Sequence, residues 1–215
     1  MFSLSICENK ESLKESIKKG KNILTINFNE DISDIDFSNV YDIKFGAEFN
    51  QDLRLLNLEN VKKMYIGLSY SINLRGALPE GLEILRINSI YNILEGVELN
   101  KKLRELDVLN NYNYSLESVK INSNLKLLSV SNYYNKSMIN LKFPECMILK
   151  LYDNNSLVDN LPECLKKLEI TCLKKELRNL PLGLKRLVIY SDMYNYLSSS
   201  IIPLGCEVKI MDKRY

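Results

Sequence analysis

The chain has 215 residues and neither histidine nor tryptophan. Without imidazole there is no Ser-His-Asp or Cys-His nucleophile system, and no zinc site that relies on a His ligand. Net charge is almost absent as well. The 29 Lys and Arg stand against 27 Asp and Glu, and a balance of +2 demands neither nucleic acid nor an anionic membrane as partner. No stretch approaches the roughly 18 consecutive apolar residues of a spanning helix. The start, Met1-Phe2-Ser3-Leu4-Ser5-Ile6-Cys7-Glu8, has no basic segment and no apolar run of signal-peptide length, so a cytoplasmic protein is expected. Cys7, Cys146, Cys164, Cys172 and Cys206 are odd in number and form no CxxC pair. That suits reduced thiols better than a disulfide framework or a metal site. No cofactor motif is present and no spacing singles out an acid/base pair, so the sequence does not read as an enzyme.

What is abundant is Leu, Ile, Asn and Tyr, and they recur at fixed intervals. Leu82-Glu83-Ile84-Leu85-Arg86-Ile87 has the form L-x-x-L-x-I, which returns at Leu103 to Val108, Leu125 to Val130, Leu165 to Ile170 and Leu184 to Ile189. Degenerate copies end at Phe45, Ile66, Leu151 and Ile210. Taking the last apolar residue of each as an anchor gives intervals of 21, 21, 21, 22, 21, 19, 19 and 21, with Ile26 as a tenth anchor 19 residues earlier. Such a period is the signature of a solenoid in the leucine-rich-repeat range. In L-x-I the two apolar side chains share one strand face and the middle residue takes the other. Each strand is followed by a return of about 15 residues, too long for a hairpin, so the strands must run parallel. Ten of them at about 4.8 Å per strand span on the order of 43 Å. The expected fold is an α/β leucine-rich-repeat-like solenoid: one curved parallel sheet of about ten short strands with irregular convex returns.

The returns repeat too. Four residues after successive anchors stand Phe49, Tyr70, Tyr91, Tyr112 and Tyr134, where a 9% aromatic content predicts fewer than one by chance. They are expected to stack as a core ladder, the competing use of such rings being base stacking. Asn50, Asn92, Asn113 and Asn135 follow, with amides able to satisfy backbone groups where the chain leaves the sheet. Leu78-Pro79, Leu161-Pro162, Leu180-Pro181 and Ile202-Pro203 precede strands, where proline ends an irregular return. Two shorter returns predict a tighter back wall from Leu151 to Pro181, and Cys146 takes a position filled elsewhere by core leucine.

These units resemble the FNIP repeat, a leucine-rich-repeat variant of approximate pattern L-P-x-x-L-x-x-L-x-F-G-x-x-F-N-x-P-L. Ile43-Lys44-Phe45-Gly46-Ala47-Glu48-Phe49-Asn50-Gln51-Asp52-Leu53 is the best copy, with Asp52 in the proline position, and Leu78 to Ile87 and Leu180 to Ile189 match the leading half. The similarity spans roughly residues 38 to 211. The resemblance implies a protein-binding role of the kind found in slime moulds and giant DNA viruses, which would place a viral version in the host cytoplasm. It also implies, as the alternative, an adaptor or effector presenting substrates to a ubiquitin ligase.

Residues 1–20 read as an N-terminal cap containing an amphipathic helix from Glu8 to Gly20, with Leu13 and Ile17 on one face; a partner-binding helix is the competing use. Residues 21–211 form the solenoid and 212–215 a polar tail. The last strand, Glu207 to Met211, is covered only by that tail unless its edge pairs with a second copy. The expected function is a non-catalytic scaffold for a protein partner, without cofactor, nucleic acid or membrane, working through the concave sheet face. The candidate contact residues are Tyr65, Arg86, Leu127, Ile148, Tyr152, Val188 and Tyr190, with Leu127 and Ile148 as an exposed apolar centre. Beside them runs a basic rim of Lys62, Arg104, Lys126, Lys166 and Lys185, interrupted by Glu83 and Met147.

Overall fold

The computed structural model describes residues 4–109, 111–131, 133–144, 147–152, 161–172, 176–190, 197 and 202–212. Every anchor found in the sequence ends or lies in a strand. The elements are β1 (Leu4–Cys7), α1 (Lys10–Lys18), β2 (Ile23–Ile26), β3 (Asp42–Phe45), β4 (Lys63–Ile66), β5 (Ile84–Ile87), β6 (Glu105–Val108), β7 (Leu127–Val130), β8 (Ile148–Leu151), β9 (Lys167–Ile170), β10 (Arg186–Tyr190) and β11 (Glu207–Met211). All pair parallel in chain order, in one sheet of eleven strands. The register is repeat on repeat: Leu85 and Ile87 pair with Leu106 and Val108, and all four are essentially fully buried.

Eleven strands accord with the expected sheet of about ten. The extra strand is β1, inside the segment read only as a helical cap. It was missed because Leu4-Ser5-Ile6-Cys7 puts Ser5 where other strands carry the first core leucine. Ser5 Oγ lies 2.7 Å from Ser16 Oγ of α1, so a polar contact between strand and helix replaces the usual apolar one. The helix itself follows its local signals. Asn9 caps it, its side chain accepting from the Ser12 amide at 2.9 Å while Ser12 Oγ accepts from the Asn9 amide. Gly20, at φ +69°, ends it. Leu13 is fully buried, and Ser16 is more deeply placed than Ile17.

The return segments are built on two hydrogen-bond ladders. Asn29 Oδ1 accepts from the Asn50 amide at 2.8 Å, Asn50 Oδ1 from the Ser71 amide at 2.9 Å, and Asn113 Oδ1 from the Asn135 amide at 3.0 Å. One side chain thus satisfies a backbone donor one turn later at Asn50 and Asn113 of the expected column, whereas Asn92 instead donates to Glu95 Oε2 and accepts from the Tyr112 hydroxyl. A second ladder precedes the strands and had not been read from the sequence. Asn100 Nδ2 donates to Pro79 O and Asn122 Nδ2 to Asn100 O, both at 2.8 Å. Pro79, Asn100, Asn122, Pro162 and Pro181 each open a β-turn whose carbonyl accepts from the amide three residues on, immediately before the strand. Asp52, the departure from the FNIP pattern, caps a short 3₁₀ turn at Leu53–Leu55 by accepting from the Arg54 amide.

Burial holds at four of the five aromatic positions, and among the described residues successive rungs stack at one step. Phe49, Tyr70, Tyr112 and Tyr134 are fully buried, and Phe49 stacks on Tyr70 with centroids 6.3 Å apart. Tyr91 is 43% exposed, contrary to expectation. Ser89 causes the difference. Its hydroxyl donates to Tyr70 O at 2.6 Å and accepts from the Tyr91 amide at 2.9 Å, which draws in the chain so that Ile93 fills the core instead. The tighter wall expected from Leu151 to Pro181 falls largely on residues 153–160 and 173–175, and Cys146 is likewise outside the described residues.

Burial pushes the Tyr70 phenol up to about 12 and those of Tyr112 and Tyr134 upward likewise, while the backbone amides of Leu53, Leu94 and Leu116 pull the other way. The fold therefore holds these phenols neutral. Unfolded tyrosine titrates near about 10, so stability from this source is complete below that pH and falls above it, where the unfolded chain sheds protons the folded chain keeps. Urea midpoints should be level from pH 7 to 9 and decline towards pH 11, and the double variant Tyr112→Phe/Tyr134→Phe should decline less. An equal decline in both would show that the ladder phenols are not its source.

Candidate partner-binding face

The pleat sends two columns of side chains to the concave side. One contains Asp42, Lys63, Ile84, Glu105, Leu127, Ile148, Lys167, Arg186 and Glu207, and the other Lys44, Tyr65, Arg86, Asp107, Ser129, Lys150, Glu169, Val188 and Lys209. The second column is largely self-neutralised. Arg86 Nε donates to Asp107 Oδ2 at 2.8 Å, Lys150 Nζ lies 2.7 Å from Glu169 Oε1, and Lys44 Nζ sits 4.8 Å over the Tyr65 ring. Burial opposes charge on Lys150, but contacts with Glu169 and Tyr152 outweigh it and raise its pKa. Asp42, half-buried, is raised by burial despite Lys63 and Arg86 nearby. Arg86, a candidate contact residue, is thus held by a carboxylate on the next strand. The signal was legible: opposite charges one repeat apart in one column, at Arg86 and Asp107 and again at Lys150 and Glu169.

The apolar centre is assembled as the spacing implied. Leu127 and Ile148 are register partners on β7 and β8. They are half-buried, not exposed as expected. In the neighbouring column Ser129, between Asp107 and Lys150, is only 3% exposed. Ile148 and Val188 line one groove of about 160 Å³ with Glu169, Lys209 and Met211. Tyr152, 42% exposed with Lys150 Nζ 5.1 Å from its ring, lines a second groove of about 490 Å³ together with Asp42, Tyr65, Ile84 and Arg86. In a flat sheet β3 and β8 would stand about 24 Å apart. The groove runs along the face from β3 to β6, where Asp107 and Leu109 also line it, and Tyr152 closes its β8 end. Tyr190 packs against the core and lines neither groove.

The basic rim follows the same register, since the Lys126 amide donates to Arg104 O and the Lys185 amide to Lys166 O, both at 2.8 Å. Met147 is 1% exposed and belongs to the core. Lys62 and Lys166 are half-buried, each lying across the glycine of the next turn, Gly81 and Gly183. Arg104 and Lys126 are exposed and share a groove of about 460 Å³ with Lys101 and Lys102. Among the described residues no cluster of His, Cys, Asp or Glu could hold a metal ion, and no helix is long and apolar enough to cross a membrane.

No family model matches the chain, and no curated protein matches it. Among solved structures it is similar to CroV588, described as a novel circular LRR protein, with a TM-score of 0.46 and 17% identity. The match covers 98% of this chain and 40% of that one, so the chain spans two fifths of that protein's length. From its parallel strands, regular register and irregular returns, the chain is a leucine-rich-repeat-like solenoid.

Proposed function

We propose that this protein is a non-catalytic, cytoplasmic scaffold of the FNIP type that seats a protein partner on its concave face. The observation that carries the reading is the pairing of Leu127 with Ile148 in the middle of that face, flanked by the Tyr152 groove on one side and the Val188 groove on the other. Apolar side chains at the centre of a concave surface, bordered by charges that already neutralise one another, favour a partner that contributes apolar and aromatic anchors. The exposed cations Lys101, Lys102, Arg104 and Lys126 would orient an acidic border of that partner during encounter.

Co-purification from a lysate with wild type and with the double variant Leu127→Glu/Ile148→Glu tests the reading. The expected outcome is loss of the specific partner from a variant that still folds, judged by circular dichroism. Equal recovery on both proteins would reject the face. The alternative implied by the FNIP resemblance, presentation of substrates to a ubiquitin ligase, would use the same face, and recruitment of a ligase in vitro separates it from simple scaffolding.

A further inference from the structure

Among the described residues no further strand or helix covers β11, the last strand of the sheet. Its inward positions Val208 and Ile210 stand in register with Leu187 and Ile189, which are 0% and 1% exposed, yet Ile210 is 46% exposed and Met211 37%. At the other end, by contrast, Cys7 of β1 is fully buried behind α1.

The free edge of β11 has a defined backbone pattern. The Glu207 amide donates to Lys185 O at 2.9 Å, and Glu207 pairs with Arg186. Glu207, Lys209 and Met211 therefore turn their peptide groups towards β10. Alternate residues of a parallel strand serve opposite neighbours, so Val208 and Ile210 present N–H and C=O to the open edge. Such an edge is a template for another strand.

We propose that β11 pairs antiparallel with β11 of a second copy, about a twofold axis through Val208. In this register Val208 faces the second copy's Val208 as a hydrogen-bonded pair, and Cys206 faces the second copy's Ile210. The apolar layer thus continues from one copy into the other. Glu207 then lies opposite the second copy's Lys209, and symmetry repeats that ion pair. The neighbouring backbone-compatible registers lack this. Centring on Lys209 sets two lysines against each other, which is destabilising, and centring on Ile210 sets Lys209 against Met211. Head-to-tail addition to β1 brings Glu207 and Lys209 against Leu4 and Ile6, which offer no charge. A twofold contact closes, and the assembly stops at two.

Light scattering on eluting protein tests this. Wild type should reach twice the 24.9 kDa chain mass as concentration rises. Lys209→Glu and Glu207→Lys, each folded by circular dichroism, should dimerise about tenfold more weakly or worse, because each sets like charges opposite one another. Mixing the two single variants should restore a dimer, and so should the doubly exchanged Glu207→Lys/Lys209→Glu. A wild type that stays monomeric, a dimer indifferent to these exchanges, or open-ended oligomers would overturn the proposal.

Discussion

Replacing Tyr112 with alanine is expected to cost roughly 3–5 kcal/mol, the range for deleting a fully buried aromatic ring. The ring is completely buried, meets Tyr114 edge-on at 5.6 Å and donates through its hydroxyl to Asn92 Oδ1 at 3.3 Å. Its loss leaves a cavity between successive turns, and in a stacked array each turn relies on its neighbours for burial. Against a typical total of about 5–15 kcal/mol, the variant should lie near the edge of unfolding. Tyr91→Ala occupies the same repeat position but removes a half-exposed ring, and should cost under about 1 kcal/mol. Urea denaturation of the two variants compares them directly. Similar costs would mean that repeat position, and not burial, sets the contribution.

Gly67→Ala should be the most damaging change of a single methyl group, at or above the roughly 3 kcal/mol upper end of ordinary overpacking. A Cβ at Gly67 would collide with the backbone carbonyl of Gly46, one turn earlier, and come within 2.7 Å of Phe45 O. A Cβ at Gly46 would in turn meet the Asn27 side chain and lie 3.0 Å from Ile26 O. Backbone cannot swing aside as a side chain can, so the turns would have to separate. Gly76 is the internal control. It has φ +69° and open space around its α-carbon, so alanine there should cost only the roughly 1–2 kcal/mol of a left-handed L-residue. If melting shows Gly76→Ala to be the worse of the two, close approach of the turns is not what requires Gly67.

Much of this fold could be read before any coordinates because its information is periodic. Phe45, Ile66, Ile87, Val108, Val130, Leu151, Ile170, Ile189 and Ile210 all lie in strands, and the columns drawn from their spacing are the register partners of the sheet. What escaped was local. β1 escaped because a serine occupies a core position and finds a hydroxyl partner on α1. Tyr91 left the ladder because one side chain, Ser89, redirects the backbone of its turn. The candidate face was half legible. The spacing put Leu127 beside Ile148, as the register has them, while the bond from Arg86 to Asp107 and the packing of Tyr190 on the core depend on side-chain conformations that spacing does not carry. Curvature is the quantity the repeat pattern does not carry. It arises from the volumes packed on the two sides of the sheet, which a period of about 21 residues leaves open.

Whether partners meet the concave face is decided by a photoreactive phenylalanine analogue at Ile148, and separately at Ile139 on a return segment where the side chain is 55% exposed. Irradiation in lysate, followed by mass spectrometry of the adducts, should give a discrete partner adduct from position 148 and none from 139. Adducts from 139 with none from 148 would place recognition on the convex side and rule out the concave face.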